Sequence, residues 1–109
     1  MDIRRGDLVT IVLSDGYGKP RPAVVVQVDA FDALTSVTVL RVTSELHDWP
    51  LFRITVDAHR GTGLQKRSQV MVDKPATVPR SRIGQRIGRL DAETMRAVSA
   101  ALAKFLGID

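Results

Sequence analysis

Cysteine is absent from this sequence of 109 residues. That absence excludes a disulfide scaffold, a thiolate zinc site and a cysteine nucleophile. The chain also lacks any apolar run of the roughly 18 residues that a membrane span requires. The first residues, MDIRR, contain no apolar segment of a secretory signal, so we expect a cytoplasmic protein.

Length and composition predict one globular domain that spans residues 1–109. Single domains most often have about 100–150 residues, which leaves no room for two separate cores. Apolar residues make up 44% of the chain, a share that excludes wholesale disorder.

Acidic residues are almost missing from one stretch of the chain. Residues 58–89 contain eight cations and a single acid, Asp73, which gives this segment a net charge of +7. Because the whole chain has a net charge of +4, the remainder carries −3. This asymmetry suggests an anionic partner, either a nucleic acid or an acidic protein, although a solvated basic face would carry the same charge.

Hydrophobic patterning predicts several short strands. Alternating or β-branched apolar residues indicate strands over 6–13, 23–28, 36–42, 51–56, 69–72 and 83–90. Pro75 is expected to interrupt the fifth. Clusters of Gly, Pro and polar residues separate the strands, and this pattern predicts a compact barrel or sandwich.

The C-terminal residues predict an amphipathic helix. Asp91 is a suitable N-cap, and Gly107 stands where a helix would end. Apolar residues recur at helical spacing on one face: Met95, Val98, Leu102, Phe105 and Leu106. We expect this face to pack on the barrel.

Few residues form a recognisable catalytic or metal-binding pattern. His47 and His59 lie in two different polar connectors, and nothing in their spacing brings them together as an acid–base pair. No H-x-x-H, H-E-x-x-H or carboxylate cluster indicates a metal site. No serine lies in a nucleophile elbow. We therefore expect no metal and no cofactor.

Two short segments are better candidates for a functional site. Pro20 and Pro22 hold Arg21 on a stiff backbone before a predicted buried strand, and its planar guanidinium suits a phosphate. Thr43 and Ser44 end the next strand, where their hydroxyls would face the rim and meet Arg21. The alternatives are a solvated loop arginine and a polar cap on a strand.

The segments resemble those of the MazF/PemK (Kid) toxins. The similarity rests on an ordered set of motifs: RGDLV from Arg5, RPAVVVQVD from Arg21, VTS from Val42, GL from Gly63, SQVMVD from Ser68 and IGRL from Ile87. It covers nearly the whole chain. It implies the CcdB/PemK-like toxin fold, a mainly β (α+β) SH3-like β-barrel with a C-terminal α-helix.

The resemblance also implies an activity and its partners. Members of the family are metal-independent endoribonucleases and the toxins of type II toxin–antitoxin systems. The chain would cleave single-stranded mRNA at specific sequences through the 2′-OH, leaving a 2′,3′-cyclic phosphate and a 5′-OH. It would work without a cofactor, as a homodimer, and a cognate acidic MazE-like antitoxin would silence it. No membrane is involved.

Three residues take catalytic roles by the resemblance. Arg21 would clamp the phosphate, Thr43 would position it, and Asp73 would act as the base. Lys74 follows Asp73 where the family has Gln, which is a departure from its pattern. One hydroxyl and six cations are expected to bind RNA: Ser44, Lys19, Arg67, Lys74, Arg80, Arg82 and Arg86.

Two aromatic residues and the C-terminus leave alternatives open. Tyr17 and Trp49 are candidates for stacking on bases, although Trp49 suits the core or a dimer interface equally well. The related CcdB-type toxins poison gyrase without nuclease activity, and the ending FLGID from Phe105 partly resembles theirs, without the Trp. A CcdB-like toxin and a non-catalytic RNA-binding module are therefore alternatives to the ribonuclease.

Overall fold

The computed structural model describes residues 2–12 and 18–109. Its six strands are β1 (Asp7–Ile11), β2 (Arg21–Val25), β3 (Ser36–Thr43), β4 (Arg53–Val56), β5 (Ser68–Pro79) and β6 (Ile83–Arg89). The helix α1 (Ala92–Leu106) follows them. Short 3-10 turns occupy Asp29–Phe31, after β2, and Arg80–Arg82, between β5 and β6. Within the described ranges, no helix is long and apolar enough to cross a membrane.

The strands form one antiparallel sheet in the order β4-β5-β3-β2-β1-β6. The sheet is not closed, because β4 and β6 are its two edges. The loop after β4 bridges these edges: the carbonyl of Gly61 accepts a hydrogen bond of 2.8 Å from the backbone N–H of Arg89. The predicted mainly β fold with a C-terminal helix is confirmed, and a loop rather than a strand pair covers the gap.

Two glycines allow this loop to lie directly on β6. A Cβ at Gly63 would stand 2.1 Å from the carbonyl oxygen of Ile87, and one at Gly88 would stand 2.3 Å from the carbonyl group of Thr62. Gly63 also has a φ of 70°, in the left-handed region that residues with a Cβ disfavour. The contact between the loop and β6 therefore requires glycine on both sides.

Alternate residues of the central strands are buried on opposite faces of the sheet. One apolar cluster packs against α1 and includes Leu8, Val24, Leu40, Val42, Val70 and Val98. The other cluster includes Val9, Ile11, Ala23, Val25, Val37 and Val39. Because both faces are covered, these strands contain valine runs rather than a strict alternation of apolar and polar residues.

β5 is longer than predicted and continues through Pro75. Its pairing with β3 is irregular there. Only Arg41 separates Leu40 from Val42 on β3, whereas their partners on β5, Pro75 and Val70, lie five residues apart. Such a bulge bends a strand and is one of the places where a sheet tolerates proline. The predicted interruption at Pro75 is therefore wrong, because the strand bends there instead of ending.

The ends of α1 are those that the sequence predicted. The side chain of Asp91 accepts a hydrogen bond of 2.7 Å from the backbone N–H of Thr94. This contact holds the pKa of the Asp91 carboxyl below its usual value. Gly107 ends the helix with a φ of 74°.

The last turn of α1 differs from the predicted packing. Val98 and Ala101 are buried, whereas the side chains of Phe105 and Leu106 are each 51% exposed. The expectation that these two residues pack on the barrel is wrong. Helical spacing identifies an apolar face, but it does not report how far the sheet extends beneath that face.

Candidate functional site

A cavity of about 480 Å³ opens where the start of β2 meets the end of β3. Arg21 pairs with Ile11 of β1. The pairing of β2 with β3 ends at Ala23 and Arg41, so Arg21 and Thr43 each lie two residues beyond it, at the same end of the two strands. Both residues line the cavity. The sheet thus brings together two candidates that the sequence places in separate segments.

The loop between β4 and β5 supplies another part of the wall. Four consecutive loop residues line the cavity: Gly63, Leu64, Gln65 and Lys66. Leu64 packs against the apolar cluster beneath α1. The hydroxyl of Ser68 donates a hydrogen bond of 2.8 Å to the carbonyl of Lys66. These contacts, together with the close approach of Gly63 to β6, position the loop.

The lining of the cavity is basic. Arg21, Arg41 and Lys66 supply three cations, and the described lining contains no carboxylate and no imidazole. None of the three takes part in the ion pairs that the described residues form with one another. Four hydroxyl groups and the amide of Gln65 complete the polar residues of the lining, the hydroxyls being those of Thr10, Thr43, Ser44 and Ser68. This combination suits an anion with several oxygen acceptors.

Thr43 is held in place by its own loop. Its Oγ1 accepts a hydrogen bond of 3.1 Å from the backbone N–H of Glu45. A threonine hydroxyl has one O–H donor besides its two acceptor sites, so this bond leaves the donor for a ligand. The predicted RNA-binding residue Ser44 lines the same cavity and is exposed.

The structure does not bring Asp73 to Arg21 and Thr43. Asp73 is not among the described residues that line the cavity. Its Oδ2 lies 3.4 Å from Nζ of Lys74, and its Oδ1 is buried without a hydrogen-bond partner. Asp73 lies in the irregular part of β5, between the two positions that flank Arg41 in the pairing with β3.

Two of the predicted RNA-binding cations lie beside residues of the cavity wall. Lys19 is exposed and precedes Pro20, which lines the cavity. Arg67 follows Lys66 in the chain, and its Nε lies 3.3 Å from a carboxylate oxygen of Asp57. Both residues are exposed to solvent.

Two other predicted RNA-binding cations hold backbone carbonyls. Arg80 donates hydrogen bonds of 2.6 Å to the carbonyls of Leu34 and Asp32. Arg82 donates a longer bond of 3.5 Å to the carbonyl of Val12. The described cavity lining includes neither arginine.

Lys74 and Arg86 are the remaining predicted RNA-binding cations, and neither is in the described cavity lining. Lys74 pairs with Asp73, and Arg86 binds the buried carboxylate of Asp7. The Oδ1 atom of Asp7 lies 3.1 Å from Nε of Arg86 and 2.6 Å from Nη1 of Arg89, and Oδ2 accepts a bond from the backbone N–H of Arg4. Burial alone would raise the pKa of Asp7, but these hydrogen bonds outweigh it and hold the pKa below its usual value. The cluster ties β1 to β6.

Each histidine has a local partner outside the cavity lining. The ring of His47 stacks on Trp49, with ring centroids 3.9 Å apart, and the guanidinium carbon of Arg53 lies 5.0 Å from the Trp49 ring centroid. The Nδ1 atom of His59 accepts a hydrogen bond of 2.9 Å from the backbone N–H of Gly61. Neither histidine lines the cavity, so the described geometry does not unite them in an acid–base pair.

Some expectations concern residues that the structure does not describe. Tyr17, the other candidate for base stacking, lies outside the described residues, as does Leu13 at the end of the first predicted strand. Among residues 2–12 and 18–109, no group of three or more His, Asp or Glu side chains is placed to hold a metal ion.

Sequence reasoning missed Arg41 and Lys66 as residues of the site. Arg41 precedes Thr43 by two residues on one strand, and residues at that spacing share a face. That spacing was a signal that a second cation lies near Thr43. Lys66 gave no comparable signal, because its position depends on how a long loop folds back onto β6.

Known proteins resemble this chain in sequence and in fold. Residues 4–106 match the family described as PemK-like, MazF-like toxin of type II toxin–antitoxin system. A protein of Mycolicibacterium smegmatis named probable endoribonuclease MazF is 46% identical over 107 residues, which cover 97% of this chain and 98% of that protein.

Solved structures of toxins have a similar fold. The Mycobacterium tuberculosis toxin MazF-mt6 matches with a TM-score of 0.80 at 27% identity, over 94% of this chain and 98% of that one. A MazE–MazF crystal structure from Deinococcus radiodurans matches with a TM-score of 0.82 at 24% identity, over 100% and 99% of the two chains. The resemblance seen in the sequence is confirmed: the chain belongs to the PemK-like, MazF-like family of toxins of type II toxin–antitoxin systems.

Proposed function

We propose that the chain is an endoribonuclease toxin that cleaves single-stranded RNA in the cavity that contains Arg21 and Thr43. One observation carries the proposal: β2 and β3, which pair up to Ala23 and Arg41, bring Arg21 and Thr43 to the wall of one basic cavity. The 46% identity to a probable endoribonuclease MazF supports the same class of reaction.

The chemistry uses a nucleophile that RNA itself contains. The 2′-OH loses its proton and attacks the adjacent phosphorus, and the bond from phosphorus to the 5′-oxygen breaks. The leaving 5′-oxygen takes a proton from water, so the products are a 2′,3′-cyclic phosphate and a 5′-OH. Negative charge accumulates on the phosphoryl oxygens in the transition state. Fixed donors aimed at those oxygens lower the barrier.

Arg21 and Thr43 supply such donors. The guanidinium of Arg21 stays protonated at neutral pH, so its role is to bind the phosphate and stabilise the developing charge. The hydroxyl of Thr43 donates to a phosphoryl oxygen and orients the phosphate against the 2′-OH. We propose that these steps need no metal ion, because the nucleophile is part of the substrate and the cations are side chains.

The base that removes the 2′-OH proton is a separate question. Asp73 remains the base predicted by the resemblance, and Asp73→Asn tests that role. Loss of a general base lowers the rate by about 10²–10⁴-fold. A cleavage rate of Asp73→Asn within about threefold of the wild-type rate would refute the role as base. Asp73 would then be only the ion-pair partner of Lys74.

The test of the proposed function is cleavage of a defined single-stranded RNA in the presence of EDTA. We expect discrete cuts by the wild type, with cyclic phosphate and 5′-OH ends, and no cuts by Arg21→Ala. Arg60→Ala is the matched control, since Arg60 is exposed and lies outside the described cavity lining. Cleavage by folded Arg21→Ala would remove Arg21 from the site, and cuts only after Mg²⁺ is added would refute the metal-independent reaction.

Two further assays with the purified protein test the alternative functions, a CcdB-like gyrase poison and a non-catalytic RNA-binding module. A CcdB-like toxin would trap gyrase on DNA and leave RNA intact. A non-catalytic module would retard RNA in a gel without cutting it. Discrete cuts that require Arg21 contradict both.

We also propose that the toxin is a homodimer in the cytoplasm and that a cognate acidic antitoxin binds it. The exposed large apolar residues support a protein interface: Val28, Phe31, Leu34, Leu46, Trp49, Leu51, Phe105, Leu106 and Ile108. The basic segment 58–89 suits an acidic partner. Light scattering should give twice the chain mass of 12.0 kDa, and a single-chain mass would contradict the dimer.

A further inference from the structure

Arg41 is a cation of the cavity that the proposed reaction does not yet use. It lies on the same face of β3 as Thr43, because the two are separated by one residue. It also pairs with Ala23, two residues along β2 from Arg21. Arg21, Arg41 and Thr43 all line the cavity.

The described residues leave the guanidinium of Arg41 without an ion-pair partner and its Nε atom without a hydrogen bond. Its Nε atom is buried and has no hydrogen-bond partner. No carboxylate of the described residues forms an ion pair with it. A buried donor without an acceptor is costly, and such groups in native proteins call for an explanation. Because the Nε atom is enclosed by protein, a ligand with oxygen acceptors that enters the cavity would bind the terminal nitrogens of the same guanidinium.

The charge of the cavity exceeds what one phosphate needs. A phosphodiester carries one negative charge, and Arg21 alone neutralises it. Arg41 and Lys66 then remain as two further cations in the same lining, which contains no carboxylate among the described residues. Like charges gathered without counter-charges repel one another, so a second anionic group is the ligand that this lining fits.

We propose that Arg41, assisted by Lys66, forms a second phosphate subsite that binds the phosphodiester next to the one that is cleaved. This inference rests on the proposed function and specifies its substrate: an RNA strand that presents at least two consecutive phosphodiesters. Arg41 is a positioning residue here, because it fixes the register of the strand while Arg21 and Thr43 act on the reacting phosphate.

The experiment measures binding of an RNA that cannot be cleaved. The cut site of the wild type is mapped first, and a 2′-deoxy nucleotide placed there removes the nucleophile. Each neighbouring linkage is then replaced in turn by an uncharged methylphosphonate. For the wild type, we expect one of these replacements to weaken binding by about tenfold or more, the loss typical of a hydrogen-bonded charge pair.

Arg41→Gln should reproduce that loss with unmodified RNA and show no further loss with the methylphosphonate at that linkage. Its affinity should also fall less steeply with salt, by about 0.7 in the logarithmic slope for one lost phosphate contact on a single strand. Arg41→Lys should restore the salt slope. Arg60→Gln, which changes an exposed cation outside the described cavity lining, should behave as the wild type.

The outcomes separate the subsite from the proposed function. If the wild type neither cleaves nor binds RNA, the proposed function fails and the subsite fails with it. If the wild type cleaves RNA but Arg41→Gln keeps the full sensitivity to the methylphosphonate, the subsite alone is refuted. If Arg41→Gln does not fold, the wild type alone provides the test. Wild-type binding that is unaffected by a methylphosphonate at either linkage next to the cleaved one would refute the subsite.

Discussion

Arg21 and Thr43 lie on neighbouring antiparallel strands, each two residues beyond the last paired position of β2 and β3, at the end where the cavity opens. A slip of one residue in this register would turn one of the two side chains to the other face. The buried valines of both strands fix the register, because each strand has alternate residues in two different apolar clusters. Core packing thus positions the site before any substrate binds.

Thr43→Val is expected to lower kcat/KM for RNA by about 10–100-fold, because it removes one hydrogen bond to a charged group while keeping the shape of the side chain. Thr38→Val is the matched control: it lies on the same strand, bonds Thr77 at 3.1 Å and is not part of the described cavity lining. Steady-state cleavage of a short fluorogenic RNA measures both. Equal losses in the two variants would contradict a specific role for Thr43.

The double variant Arg21→Ala with Thr43→Val provides a second test of their common action. Groups that act on one phosphate are not additive, so the combined loss should be smaller than the product of the two single losses. A combined loss equal to that product would indicate independent roles.

Asp7→Asn is expected to lower the free energy of unfolding at pH 7 by about 1–3 kcal/mol, because it weakens hydrogen bonds from two arginines to a carboxylate that is 2% exposed. The folded state holds the pKa of Asp7 below its usual value. The stability from Asp7 is therefore full above the unfolded pKa of about 4 and is lost as the pH falls through the folded-state pKa.

Urea denaturation at pH 7, 5 and 3 checks this dependence. The difference between wild type and Asp7→Asn should persist at pH 5 and shrink at pH 3. Asp2→Asn is the control, since Asp2 is 78% exposed and its ion pair with Arg4 is a surface contact of 3.7 Å, worth at most about 1 kcal/mol. A difference that grows towards acid would refute the assignment.

Lys19→Ala and Arg80→Ala separate binding from stability among the predicted RNA-binding cations. Lys19 is exposed beside the cavity, so its loss should weaken RNA binding and leave the thermal midpoint unchanged. Arg80 holds two backbone carbonyls, so its loss should lower the free energy of unfolding by about 1–2 kcal/mol. Fluorescence anisotropy with labelled RNA and calorimetry on both variants check the contrast, and a reversed pattern would contradict it.

The strands and the helix ends could be predicted because their signals are local. Runs of β-branched apolar residues indicated the central strands, and Asp91 and Gly107 indicated the limits of α1. Arg21 and Thr43 followed from their positions at strand ends. The course of β5 through Pro75 could not be predicted, because it depends on a bulge against Arg41 that only the pairing of two distant strands creates. Lys66 was missed for the same reason, since its place in the cavity depends on a contact between a loop and β6.

Gly63→Ala should affect both stability and cleavage, because Gly63 holds the loop that places Lys66 in the cavity. An added Cβ would meet the carbonyl oxygen of Ile87 at 2.1 Å, and the φ of 70° is unfavourable for alanine. The conformation costs about 1–2 kcal/mol, and the steric conflict adds about 1–3 kcal/mol. Gly107→Ala separates the two causes: Gly107 has a φ of 74°, but a Cβ there would meet nothing within 4 Å. In urea denaturation we expect Gly107→Ala to lose only the conformational cost of about 1–2 kcal/mol. It should cleave RNA as the wild type does. Equal destabilisation by the two substitutions would show that the contact between the loop and β6 does not position the cavity wall.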